Sequence, residues 1–270
     1  MKDVKMILCD IDGTLLDDYR KITPATLEAI SKLKERGILF GIATGRSPIA
    51  VKQLLGDWGV EAYTDILMGF NGSQYFDYAL DKEERSHLVE GSILKDIMNT
   101  YKDFDISFGI FDDYEYHVTR DDKVSNGIAK NNKLKLCVDD LSAYTSTNAT
   151  KMLAMGAPEV IDEVEKYCLA HPDPSYRGVR STKDLFEFLE PHVSKSFGIE
   201  RIAKNHGFTL ENVCVFGDEL NDLEMIRDCG VGVCMANGNP IVKEIADYIT
   251  RSNNEDGIAV FINEHILKEG

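Results

Sequence analysis

The 270-residue chain is short of positive charge: 30 Lys and Arg stand against 46 Asp and Glu, for a formal net charge of −16. That balance repels nucleic-acid phosphates and anionic lipid headgroups, so neither nucleic acid nor a membrane surface is expected as a partner. No stretch approaches the roughly 18 apolar residues from which a membrane-spanning helix is read. The opening MKDVKMILCDID lacks the longer apolar core and cleavage pattern of a secretory leader, and the expectation is a cytoplasmic protein. Six cysteines (Cys9, Cys137, Cys168, Cys214, Cys229 and Cys234) occur without Cys-x-x-Cys spacing, so all six read as buried free thiols and not as a disulfide frame or zinc site. Solenoid-length repeats and low-complexity tracts are also missing.

What is present is ordinary globular composition, 43% hydrophobic and 28% charged. Buried-strand runs alternate with helical spacing: VKMILCD, then TPATLEAISKLKERG with Thr23 as N-cap and Gly37 as stop, then ILFGIAT, PIAVKQLLGDWG and DILMGFNG. Such alternation predicts a parallel sheet covered on both faces. Between 82 and 185 the texture changes to shorter segments, aromatic-rich pieces and acidic pairs at Asp112 and Asp113, Asp121 and Asp122, and Asp139 and Asp140, which read as solvated loops. The alternating pattern then returns. The expected fold class is α/β, a doubly wound parallel-sheet (Rossmann-like) core domain of residues 1–81 and 186–270, with an α+β cap domain inserted at 82–185.

In open parallel sheets, ligands bind beyond the carboxyl ends of the strands. The polar clusters fall at those ends: Asp10 and Asp12 after VKMILC, Thr44-Gly45-Arg46 after ILFGIA, Asn71-Gly72 after LMGF, and Asp218 after VCVFG with Asn221 and Asp222 on the next turn. Residues i and i+2 of an extended segment point the same way, so Asp10 and Asp12 are expected to face one pocket. Four carboxylates crowded at one edge call for a cation, and an all-oxygen donor set favours Mg²⁺. With a metal in place, one carboxylate can attack an electrophile while its neighbour handles protons, and phosphoryl transfer suits that division best. The Thr44 hydroxyl, backbone amides near Gly13 and Gly45, the Asn221 side chain and the Lys195 ammonium suit the remaining phosphate oxygens.

Four ordered blocks carry a resemblance: DIDGTLLD (10–17); ATGR (43–46) followed by NG (71–72); VSK (193–195); and GDELNDLEM (217–225) followed by MANG and EDGIA. Together they resemble the haloacid dehalogenase superfamily of phosphatases, in its Cof-type branch with a large cap (subfamily IIB). The resemblance implies Asp10 as the nucleophile that becomes aspartyl phosphate and Asp12 as general acid and base. It implies Mg²⁺ on the Asp10 carboxylate, the Asp12 backbone carbonyl and Asp218, with Asp222 a ligand directly or through water. Thr44, Gly45, Lys195 and Asn221 would hold the phosphate, and Arg46, Asn71 and Gly72 would line the way to the leaving group. The chain departs from the family at His192, where a small residue is usual, and at Ser196, where glycine often follows the lysine.

The expected activity is Mg²⁺-dependent hydrolysis of small-metabolite phosphomonoesters. Sugar phosphates come first and flavin or pyridoxal phosphates second, for a protein that is a monomer or weak homodimer. The alternatives are a phosphomutase and a non-enzymatic phospho-acceptor module of the receiver type.

Overall fold

A computed structural model describes residues 3–268. From the amino end the elements are β1 (Met6–Cys9), α1 (Pro24–Glu35), β2 (Leu39–Ala43), α2 (Pro48–Lys52), β3 (Ile66–Gly69), β4 (Gln74–Asp77) and β5 (Lys82–Arg85). Next come α3 (Gly91–Thr100), β6 (Ile106–Asp112), β7 (Glu115–Val118), α4 (Lys123–Asn131), β8 (Lys135–Val138), β9 (Lys151–Gly156), α5 (Pro158–Ala170), β10 (Arg177–Thr182) and β11 (Leu185–Leu189). The chain closes with α6 (Lys195–Asn205), β12 (Val213–Gly217), α7 (Leu223–Asp228), β13 (Val231–Cys234), α8 (Pro240–Ile245), β14 (Tyr248–Ile249) and α9 (Gly257–Phe261).

Two compact units result. One gathers the stretch up to Pro48, Lys52–Glu84 and the stretch from Ser194 onward; the other gathers Arg85–Val193 together with Ile49–Val51. The division falls later than the expected 82 and 185. Lys82–Arg85 is the edge strand of the first sheet, and Leu185–Leu189 pairs antiparallel with β9 and β10 in the second.

The first unit holds an eight-stranded sheet in the order β14-β13-β12-β1-β2-β3-β4-β5. It is parallel from β14 to β3, and β4 returns antiparallel to β3. Every residue of β1 is buried, as a central strand covered on both faces requires. Met6 and Leu8, with Val213 and Val215 of β12, share a core cluster with Ile199 and Ile202 of α6 and Met225 and Ile226 of α7. This alternation is the strand period of two meeting the helical period of three to four. Helix α1 starts where the Thr23 hydroxyl accepts the Thr26 amide at 3.2 Å, with Pro24 at the first helical position. The segment from Pro48 is helical for only five residues and then runs through turns to Gly59 (φ 72°).

The second unit is a six-stranded sheet, β10-β11-β9-β6-β7-β8, antiparallel except for the β7–β8 pair. Leu94 and Ile97 of α3 and Ile161 and Val164 of α5 pack with Phe108, Ile110, Met152, Ala154, Phe186 and Phe188. The acidic pairs here are more than solvated loops. Asp122 caps α4 by accepting the amides of Val124 and Ser125, and Asp139 Oδ2 lies 2.5 Å from His117 Nδ1.

Candidate active site

Strand β1 ends between β2 and β12, where successive strands are added on opposite sides of the sheet; a crevice opens at such a switch point. Asp10 follows β1 directly and its amide donates to the Phe216 carbonyl of β12 at 2.9 Å. Asp218 and Asp222 follow β12. Lys195, the first residue of α6, reaches in from the side.

Three of the four predicted carboxylates meet here. One oxygen each from Asp10, Asp218 and Asp222 lies within 4.8 Å of the others, and all three residues are buried. Lys195, fully buried, donates to Asp10 Oδ1 and Asp222 Oδ1, both at 2.5 Å. The other Asp222 oxygen accepts the amides of Asp218 and Glu219 at 2.9 and 3.1 Å, which locks the turn that carries Asp218. Asp218 Oδ1 accepts the Thr14 hydroxyl at 2.7 Å. Gly13 has φ 79°, and a Cβ there would stand 2.3 Å from Asp218 Oδ2, so both its backbone and its missing side chain are required.

Burial dominates the electrostatics. It pushes the Asp218 carboxyl up to about 6, with the Thr14 hydrogen bond opposing and the Asp222 charge adding. Asp10 is raised to about 7, again by burial first, while Lys195 pulls it down and Asp222 pushes it up. Burial alone would lower the Lys195 ammonium; Asp10 and Asp222 together outweigh that and hold it above the ordinary lysine value. Three carboxylates thus face one ammonium in a buried place. That excess of negative charge, carried by hard oxygen donors, fits a bound divalent cation of the Mg²⁺ type.

Asp12 departs from its expected placement. The chain turns after Asp10, Ile11 is buried, and the Asp12 carboxylate lies outside the group of three with 55% of its side chain exposed, although its charge still helps to raise Asp10. Both its oxygens are taken by Arg46, at 2.8 Å from Nε and 2.5 Å from Nη2. The strand stops at Cys9, so the i, i+2 alternation of extended backbone does not carry through to Asp12. The Asp12 carboxylate is not one of the three grouped around a shared cation position.

Thr44 is buried at the end of β2, and its hydroxyl accepts the Arg46 amide at 3.2 Å. Asn71 takes the left-handed conformation (φ 55°) in the tight β3–β4 turn, and its buried Oδ1 has no hydrogen-bond partner among the described residues. That oxygen would stand 3.1 Å from a Cβ at Gly45, so Gly45 keeps the two turns close. Gly72 (φ 105°) lets the same turn approach α6, where a Cβ would stand 2.4 Å from the Ser194 carbonyl. Asn221 stands exposed on the turn that ends in Asp222. His192 is exposed and pairs with Glu190 at 3.0 Å.

Sequence reasoning passed over Thr14, Asn237 and Asn239. Asn237 donates to the Gly13 carbonyl at 2.8 Å, and the Asn239 amide donates to the Asp218 carbonyl at 2.7 Å. The available signal was their place inside the DIDGT and MANGN blocks.

Comparison with known proteins identifies the family. Residues 7–262 match the haloacid dehalogenase-like hydrolase family. The 5-amino-6-(5-phospho-D-ribitylamino)uracil phosphatase YitU of Bacillus subtilis is 30% identical over 270 residues, covering 96% of this chain and 97% of that one. A haloacid dehalogenase-like hydrolase from Bacteroides thetaiotaomicron superposes with a TM-score of 0.86 at 24% identity, over 97% of this chain and 99% of that one. The subclass IIB sugar phosphatase BT4131 superposes with a TM-score of 0.81 at 22% identity, over 97% and 98%. The chain belongs to the haloacid dehalogenase-like hydrolases, in their Cof-type branch, and is by that membership a phosphoric monoester hydrolase.

Proposed function

We propose that the protein hydrolyses phosphomonoesters of small metabolites by a double displacement in which Asp10 carries the phosphoryl group. The observation that supports this reading most is the state of the Asp10 carboxylate. Lys195 holds Oδ1, while Oδ2 accepts no hydrogen bond among the described residues and is left to attack phosphorus. The ammonium also counters the burial that would otherwise protonate this nucleophile.

Bound Mg²⁺, held by Asp10, Asp218 and the Asp12 backbone with Asp222 beside them, would neutralise the ester's charge and permit two anions to meet. The protein's own groups do the rest. Asp10 Oδ2 forms a bond to phosphorus as the ester oxygen leaves, and that oxygen takes a proton from Asp12. Water then attacks the acyl phosphate, Asp12 receives its proton, and inorganic phosphate departs with Asp10 regenerated. Because Arg46 occupies both oxygens of Asp12, this exchange requires that contact to open. The Thr44 hydroxyl, the Gly45 amide, Asn221 and Lys195 are the donors for the phosphate oxygens.

Sugar phosphates and the phosphorylated ribityl compound named for the Bacillus relative are the substrate classes to try first. Flavin mononucleotide and pyridoxal phosphate follow. The test is inorganic phosphate release over a panel of these esters with Mg²⁺ present. Multiple turnovers that stop on chelation and restart on adding Mg²⁺ are expected. Isomerised sugar phosphate without net phosphate release would replace this reading with a phosphomutase, and one stable phosphate per chain would replace it with a receiver.

A further inference from the structure

The second unit carries a cluster that the hydrolase chemistry does not use. His117 of β7 sits directly opposite Cys137 of β8 across the parallel pair, and Glu115 lies two residues before His117 on the same face of the sheet. One ligand atom from each of the three lies within 4.8 Å of the others.

The histidine is set up as a ligand. Its side chain is 10% exposed, and its Nδ1 lies 2.5 Å from Asp139 Oδ2, a carboxylate placed to orient the ring. Nε2 is buried, meets no hydrogen-bond geometry among the described residues, and has Glu115 Oε2 3.2 Å away. A carboxylate holding one imidazole nitrogen while the other faces outward is the arrangement that orients histidine toward a metal. Glu115 divides its oxygens in the same sense: Oε1 takes the Lys135 ammonium at 2.7 Å, and Oε2 turns to within 3.2 Å of His117 Nε2. The Tyr144 ring covers the imidazole with centroids 5.0 Å apart. Cys137 is a free, partly exposed thiol.

We propose that Glu115, His117 and Cys137 form a transition-metal site, with Zn²⁺ the favoured ion, and that Asp139 is its positioning residue. Thiolate and imidazole donors select zinc over the hard Mg²⁺ expected at the three aspartates. Bonds of about 2.0–2.3 Å place tetrahedral ligand atoms roughly 3.3–3.8 Å apart, so the group needs only a modest inward adjustment, and a fourth position remains for water. The metal clasps β8, the edge strand, to β7 through the one parallel pair of this sheet among the described residues, where the ladder is weakest. The ligands come from neighbouring strands and not from one loop, which is why Cys-x-x-Cys spacing gave no sign of them.

The test uses the full chain in excess Mg²⁺, which keeps the aspartate cluster occupied. Zinc is added, excess is removed by dialysis, and bound metal is counted; cobalt(II) is then loaded in its place. One zinc per chain and a thiolate-to-cobalt charge-transfer band are expected. Cys137→Ser removes the band and weakens zinc binding at least tenfold. Asp139→Asn keeps the band and weakens binding about 10- to 100-fold. Circular dichroism establishes that both variants are folded, and Glu115→Gln, at a partly exposed position, provides a third variant should either fail. No retained zinc, a band that survives Cys137→Ser, or zinc affinity unchanged in both variants overturns the proposal.

Discussion

The ammonium of Lys195 lies 2.5 Å from Asp10 Oδ1, joining residues 185 positions apart in a place closed to solvent on the lysine side. The contact ties the start of α6 to the end of β1 and fixes one oxygen of the proposed nucleophile.

Removing that ammonium leaves Asp10 and Asp222 buried without their countercharge. Lys195→Met is expected to destabilise the metal-free protein by about 3–5 kcal/mol, the usual consequence of breaking a buried pair on one side. Denaturant unfolding in chelator measures this. Mg²⁺ should recover part of the loss, since it supplies positive charge to the same carboxylates, whereas turnover should stay abolished.

Gly13→Ala should damage the site more than an exposed glycine change would. The left-handed backbone alone costs about 1–2 kcal/mol with a Cβ present, and that Cβ would collide with Asp218 at 2.3 Å. Mg²⁺ affinity, read from the concentration dependence of phosphate release, is expected to fall at least tenfold. Gly37→Ala has a similar positive φ of 68° but nothing within 4 Å of its Cβ, and should leave that affinity unchanged.

The pH dependence follows from Asp218 and Asp10, raised by burial to about 6 and about 7. Because these folded values lie above the ordinary 3.8, the native state binds protons more tightly than the unfolded chain does. Their contribution to metal-free stability is therefore full below about pH 4 and is lost as pH rises through 6 to 7. Mg²⁺ needs the deprotonated carboxylates and gains affinity over the same window. The rise in Tm on adding Mg²⁺ should be small at pH 5 and large at pH 8; an equal rise at both would contradict the assignment.

Arg46 holds both oxygens of Asp12, so Arg46→Ala should change how the proton is handled more than how the ester is bound. A drop in kcat of about tenfold, from loss of one charge-assisted contact, with a displaced pH profile is expected. A change confined to KM would assign Arg46 to substrate binding alone.

The sheet was legible because its strands are continuous apolar runs bounded by Gly, Asn and Asp, and because the switch point follows from strand alternation. Strand ends therefore located Asp10, Thr44, Asn71 and Asp218. The boundaries of the insertion were less legible. Leu185–Leu189 (LFEFL) is apolar except for Glu187, and only its antiparallel partner β9 reveals which sheet it joins. Asp12 was misplaced by a rule for extended backbone applied one residue past the strand. The meeting of His117, Cys137 and Asp139 depends on cross-strand register, which local spacing does not encode. Of six cysteines read as buried, Cys9, Cys214, Cys229 and Cys234 are; Cys137 and Cys168 are only partly covered.

The most direct test of the central claim is acid quenching during turnover with Mg²⁺ and an active ester, followed by mass spectrometry of the peptide that carries Asp10. The account predicts an added phosphoryl group on Asp10, lost on treatment with hydroxylamine and absent from an inactive Asp10→Asn variant. Undiminished phosphate release by Asp10→Asn, or a phosphoryl group found on another residue, would contradict it.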